Sequence, residues 1–295
     1  MRVFYSPRYE FQLAGHVWPT SKYRLVIETL QLQVIEPRAA SWEDLALVHT
    51  AEYLEKLRLN RLTPDEIATL ELPWTADLAD AFRVMVGGTC EAAGAALEDG
   101  VAAHIGGGLH HAFANHGEGF CPLNDIAVAV RVLQRDGRLR RAAVIDCDVH
   151  HGNGTAMIFE RDPQVFTCSI HQQHNYPLFK PRSDLDVGLE DGARDARYLD
   201  ALRGALPAII KSRPELIVYV AGADPFEGDR LGGLSMTKAG LAERDELVIR
   251  AGRNAGLPIV VVLAGGYATD VRDTVDIHVG TIRALIDSRH AGTLS

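Results

Sequence analysis

The sequence predicts an α/β fold, a mostly parallel sheet with helices on both faces. Two observations predict it. Short apolar runs of strand length alternate with longer segments whose apolar residues recur every three or four positions, and strands alternating with helices build a parallel sheet. In addition, four of the apolar runs lead straight into loops of glycine with histidine, aspartate or tyrosine. Ligand sites of open parallel sheets lie beyond the carboxyl ends of the strands, and parallel strands bring such loops to one rim.

The strand-like runs are residues 2–5, 102–105, 142–146, 165–170, 216–221 and 258–264. Helical spacing covers 21–33, 75–98, 123–135, 196–211, 237–255 and 270–288. Thr63-Pro64-Asp65-Glu66 reads as a helix start, with a capping hydroxyl, proline in the first turn and acids near the positive dipole end. There is no internal repeat, low-complexity tract or Pro/Ser-rich linker, so residues 1–295 read as one domain.

Composition narrows the function. The 295 residues are 47% hydrophobic, enough for a sizeable core. A net charge of −9 argues against direct nucleic-acid binding, which needs a basic face. No run approaches the roughly 18 apolar residues of a membrane span, and Met1-Arg2-Val3-Phe4-Tyr5 lacks the apolar core of a signal peptide. The cysteines, Cys90, Cys121, Cys147 and Cys168, form no CxxC pair, which suits a reducing cytoplasm.

The chemistry concentrates in the segment from Asp146 to Thr155, at the end of a buried strand. Asp148 and His150 stand two apart, so an extended backbone projects both to one side, where one divalent cation can accept both. A lone Asp or His at a strand end is usually a solvated cap. Two carboxylates and two imidazoles within six positions, closed by Gly152 and Gly154, favour a site. Asp224 is the best candidate for a third ligand, ending a strand and followed by a rigid proline; taken singly it would be a loop acid capping a helix. Three protein ligands leave a coordination position open, the arrangement of a catalytic metal. Zinc suits two carboxylates and one imidazole, and Fe(II) fits the same set.

His110 and His111 follow three glycines and are not needed as ligands, so the pair is free for proton transfer. Hydrolysis needs a base for the attacking water and an acid for the departing nitrogen, and imidazole can serve as both. An isolated histidine would more often be a satisfied core or surface residue. Tyr267, after Gly265-Gly266, can donate to an oxyanion, although such tyrosines often only pack. Asp146 reads as the acceptor that orients His110, or equally as a structural anchor.

These motifs carry a resemblance. The segments 107–112, 119–125, 146–154, 223–225 and 265–267 match in order and spacing the motif series of the zinc-dependent histone deacetylase family. The similarity runs from about Tyr5 to Asp276, and the Tyr5-Ser6-Pro7-Arg8-Tyr9 opening is similar to the class IV-type branch and its short bacterial relatives. The resemblance implies an arginase/deacetylase-type fold with about eight strands. It implies zinc at Asp148, His150 and Asp224, acid–base chemistry at His110 and His111 with His111 the more direct proton carrier, and Tyr267 as oxyanion donor. It implies a tunnel for an acyl-lysine stem, with Gly119 and Phe120 along one wall, in a protein or peptide substrate. It also implies a structural potassium ion at Asp146, Asp148, His150, Ser169 and Ile170, partly through carbonyls, and a second such site near Phe159, Asp162 and Val165.

Three positions depart from the family's commoner residues. Asn153 faces the second histidine where class I members carry Asp, and a neutral partner supports less positive charge there. Leu109 replaces an aromatic residue before the histidine pair, re-shaping the tunnel floor. Leu231 stands at the gate where polyamine-selective relatives carry Glu. The reading is therefore a zinc-dependent lysine deacylase. Its rivals are an acetylpolyamine amidohydrolase, a non-catalytic acyl-lysine binding protein, which should have lost a ligand, a catalytic histidine or the tyrosine, and an arginase-like two-manganese hydrolase, which wants more bridging carboxylates.

Overall fold

The computed structural model describes residues 1–11, 13 and 15–289; residues 290–295 of the predicted domain lie outside that range. In chain order the elements are β1 (Arg2–Phe4), α1 (Lys22–Leu30), α2 (Trp42–Leu45), α3 (Ala51–Arg58), α4 (Pro64–Leu70), α5 (Ala76–Asp99), β2 (Val101–His104), α6 (Asp125–Arg135) and β3 (Ala142–Asp146). Then follow α7 (Asn153–Phe159), β4 (Val165–Gln172), β5 (Leu185–Leu189), α8 (Asp195–Lys211), β6 (Leu216–Val220), α9 (Lys238–Asn254), β7 (Ile259–Val262) and α10 (Val271–Asp287). A 3-10 turn covers Pro7–Tyr9.

Among the described residues the sheet has seven strands, all parallel, in the order β1-β2-β7-β6-β3-β4-β5. The strand count corrects the expected eight. Among the described residues, the isolated bridge that touches an edge strand, Phe4–Ile35 beside β1, does not grow into a ladder. The four strands that deliver the motif loops, β2, β7, β6 and β3, are neighbours at the centre of the sheet. Both faces of these strands are covered, so they read as unbroken apolar runs. Leu216, Val218 and Val220 of β6 pack in one cluster with α5 and α6 residues such as Ala92 and Val130. Ile217 and Tyr219, pointing the other way, join the cluster holding α8, α9 and α10.

Helix ends follow local chemistry. Thr63 and Glu66 form a reciprocal capping box on α4, with Pro64 in its first turn. Helix α5 starts at the Thr75 cap and stops at Gly100, whose φ of 81° is the left-handed turn a glycine adopts freely. Three helices, α2, α3 and α7, and the edge strand β5 are additional to the elements read from periodicity.

Candidate active site

Loops following β3 and β6 bring together a candidate metal-ligand set, braced by the loop after β7. Backbone amides fix the carboxylates: Asp148 accepts from Gly265 N at 2.8 Å and His150 N at 3.0 Å, and Asp224 accepts from Val149 N at 2.9 Å. His150 Nδ1 lies 3.0 Å from Asp148 Oδ1 and 3.3 Å from Asp224 Oδ2. One donor atom from each residue falls within 4.8 Å of the others, and all three residues are buried. Asp224 Oδ2 is buried without a hydrogen-bond partner. An unpaired buried carboxylate oxygen is costly, and a cation between the three donors would satisfy it; the set fits a divalent metal. Gly265 is required by this crowding, because a Cβ there would overlap Asp224 Oδ2.

Electrostatics point the same way. Burial opposes a charge on His150, but the neighbouring Asp148 and Asp224 carboxylates outweigh it and raise its pKa to about 10. Burial, and then the adjacent Asp148 carboxylate, push Asp224 up to about 7. The carboxylates thus favour positive charge at the point where the three donors meet.

The imidazole pair sits beside this set. His110 Nδ1 is 2.7 Å from Asp146 Oδ2, and His111 Nδ1 is 2.7 Å from Asn153 Oδ1. The two Nε2 atoms face each other at 3.1 Å. The pair splits electrostatically. Burial works against a charge on His110, but the Asp146 and Asp148 carboxylates outweigh it and raise it to about 9. Burial, helped by the charges of His110 and His150, holds His111 well below its usual value. Two adjacent histidines pushed apart in this way can divide the roles of proton holder and proton acceptor.

The site opens into a cavity with two compartments that share His111, His150, Gly119, Phe120 and Tyr267. Leu109, Trp18 and Tyr23 are among the residues that close the inner one. Glu71, Asn175, Tyr176 and Leu231 line the outer mouth. Phe120 sets its ring edge-on to Tyr267, with centroids 6.0 Å apart. Burial and the charges of Asp148 and Asp224 push the Tyr267 phenol well above its ordinary pKa, so it stays a donor. At the ends of β3 and β4, Asp146 pairs in register with Ser169, with Ile170 next in the chain. Phe159 and Val165 are buried, and the Asp162 backbone amide donates to the Phe159 carbonyl at 2.9 Å.

Sequence reading missed several residues that shape the site. Tyr176 packs edge-on to His111, centroids 5.0 Å apart, from a loop without periodicity. Glu118 accepts from Asn153 and Tyr176, each at 2.9 Å; its adjacency to Gly119-Phe120 was the one available signal. Arg244, on α9, is fully buried and donates to the carbonyls of Gly222 and Cys147 at 2.6 and 3.2 Å, tying together the loops that carry Asp224 and Asp148. Lys22 is also fully buried, donates to Ala264 O at 2.8 Å, and lies 5.5 Å from the Tyr267 ring centre. Burial lowers its pKa to about 8.

Known proteins are similar to this chain. An uncharacterized protein of Picosynechococcus is 41% identical over 285 residues, 94% of this chain and 95% of its own. Histone deacetylase 2 of Arabidopsis thaliana is 33% identical over 287 residues, 90% of this chain and 74% of its own. The crystal structure of the HDA15 HD domain has the same fold, with a TM-score of 0.81 at 24% identity, covering 99% of this chain and 93% of that one. The histone deacetylase domain model matches residues 16–282, and the chain therefore belongs to the histone deacetylase family.

Proposed function

We propose that this protein is a zinc-dependent amidohydrolase that removes acetyl or longer acyl groups from lysine side chains of proteins or peptides. The observation that carries the reading is the convergence of Asp148, His150 and Asp224, with one carboxylate oxygen left unpaired, beside a cavity lined by Asp148, His150, two further imidazoles and a phenol. Zinc held by these three residues would polarise the amide carbonyl and make water more acidic, and Fe(II) would serve in the same way. A structural potassium ion at Asp146, Asp148, His150, Ser169 and Ile170 belongs to the same reading, supported by the buried register pair Asp146–Ser169. The weaker second site near Phe159, Asp162 and Val165 is kept with it.

The chain's own residues do the rest. His111, kept neutral and holding its Nδ1 proton toward Asn153, accepts a proton from the attacking water at Nε2 and passes it to the departing nitrogen. Asp146 holds His110 in place, and the charge of His110 stabilises the anionic transition state. Tyr267 donates to the oxyanion. Gly119 and Phe120 line the path of the lysine stem, and Leu231 gives the gate an apolar face suited to a substrate whose charge is masked by its amide. The reading includes a cytoplasmic setting, supported by four cysteines that are all free thiols.

A second reading, acetylpolyamine hydrolysis, draws on the Glu71 carboxylate at the mouth, which could hold a remaining ammonium group. One experiment separates them. Zinc-loaded protein is offered lysine peptides acylated from acetyl to myristoyl, and acetylspermidine, with and without a hydroxamate chelator. Peptide turnover abolished by the chelator is expected. Turnover of acetylspermidine alone would select the second reading, and turnover of neither would overturn both.

A further inference from the structure

We propose that Glu118 is a positioning residue: it fixes the amide of Asn153 so that His111 keeps its proton on Nδ1 and offers Nε2 to the reaction. The proposal rests on the role given to His111 above. Glu118 Oε1 lies 2.9 Å from Asn153 Nδ2 and 2.9 Å from the Tyr176 hydroxyl. A carboxylate only accepts, so both neighbours must donate. The end of Asn153 that faces Glu118 is therefore its NH2. Its other end, Oδ1, also only accepts, and it faces His111 Nδ1 at 2.7 Å. His111 must then carry hydrogen on Nδ1, which leaves the lone pair on Nε2, 3.1 Å from His110 Nε2.

The two ends of an asparagine amide have nearly the same shape, and only hydrogen bonding tells them apart. Without Glu118 the Asn153 amide can turn over, present N–H to His111 Nδ1, and drive the imidazole into the tautomer that cannot act as base. Glu118 is held ionised for this task. Burial works against its charge, but hydrogen bonds involving His116, Tyr176 and Asn153 outweigh it and keep the carboxyl below its usual range. Its side chain is 19% exposed, and the Tyr176 ring that it anchors packs against His111.

The geometry also makes the pair interdependent. Asn153→Asp alone sets two carboxylates against each other at hydrogen-bond distance, where both cannot stay ionised. Glu118→Gln restores a donor for the new carboxylate.

The test combines kinetics on an acyl-lysine peptide with nitrogen-15 NMR of the histidine rings, after melting curves show each variant folded. Glu118→Ala should lower kcat by about 10- to 100-fold, the usual cost of losing an outer-shell partner, with a smaller change in KM. Glu118→Gln, of nearly the same shape, should fall between Glu118→Ala and wild type. The double variant Glu118→Gln with Asn153→Asp should turn over at least about 10-fold faster than Asn153→Asp alone. NMR should show the Nδ1–H form of His111 in wild type and a mixture in Glu118→Ala. Unchanged kcat with an unchanged tautomer in Glu118→Ala, or a double variant no faster than Asn153→Asp, would overturn the proposal. If wild type cleaves no acyl-lysine peptide, the proposed function fails while the NMR comparison still decides the role of Glu118.

Discussion

His150 and His151 are neighbours in one loop, yet they enter two different clusters of the same composition class. His150 meets Asp148 and Asp224; His151 meets His171 and Asp186, and in each cluster the donor atoms lie within 4.8 Å of one another. The first has two carboxylates whose side chains are 2% and 0% exposed, and one oxygen of Asp224 is unpaired. In the second, His151 Nε2 meets Asp186 Oδ1 at 3.1 Å and His171 Nδ1 meets Ser169 Oγ at 3.0 Å, while the Asp186 side chain is 32% exposed. His151 does keep one unmet buried nitrogen, but it is Nδ1, not the atom that faces Asp186. Residue type and proximity are therefore insufficient to define a metal centre. What separates the two is an unsatisfied buried charge, because hydrogen bonds have already met the facing atoms of the second cluster.

The largest effect should come from the first cluster. His150→Ala or Asp224→Ala should abolish zinc retention on dialysis and cut kcat/KM by about 10³-fold or more, on the order of 4 kcal/mol of barrier. Full zinc content in either variant would erase the contrast between the clusters. Tyr267→Phe should leave zinc content intact and lower kcat by about 10²- to 10³-fold; a loss of metal instead would mean the phenol supports the ligand set.

Acid should act through buried histidines, including His171 of the second cluster, which burial lowers to about 4. His49 is buried with Nδ1 against Phe113 O and Nε2 accepting from Asn124 N, and burial lowers its pKa to about 4. His104 is lowered by burial to about 3. Both fold neutral, so the unfolded chain binds protons first as pH falls below about 6.5. Stability is complete above that value and declines until the folded pKa values are reached. Between pH 6.5 and 5 each should forfeit about 2 kcal/mol, read from denaturant unfolding. A flat profile would contradict the neutral assignment.

The smallest effect belongs to the second cluster. Asp186→Asn should leave zinc content and kcat unchanged and reduce stability by about 1–3 kcal/mol through the weakened bond to buried His151. A fall in bound metal would make the cluster a second centre.

Much of the frame was legible because its signals are local. Buried parallel strands are unbroken apolar runs, and β3 and β6 stand out for that reason. Strand β5 escaped because Leu185-Asp186-Val187-Gly188-Leu189 is an edge strand of mixed polarity, with only Leu189 fully buried. Helix α7 was hidden because it begins inside the Asp146 motif. The eighth strand failed because the pairing outside β1 stops at the single Phe4–Ile35 bridge. Glu118, Tyr176 and Arg244 carry no local pattern, and their roles exist only through partners 22 to 97 positions away; Arg244 reaches Gly222 and Cys147, Tyr176 reaches Glu118 and Glu118 reaches Asn153.

The sequence by itself determined the alternation of strands and helices, the loops that carry polar chemistry, and the family resemblance. All of these depend on spacings of a few residues, which backbone geometry converts directly into a shared side. Tertiary structure alone decided that β2, β7, β6 and β3 stand side by side and that His150 and His151 turn to different partners. It also decided that Glu118 reaches Asn153, because those choices depend on strand order and on which buried charges are left without a partner.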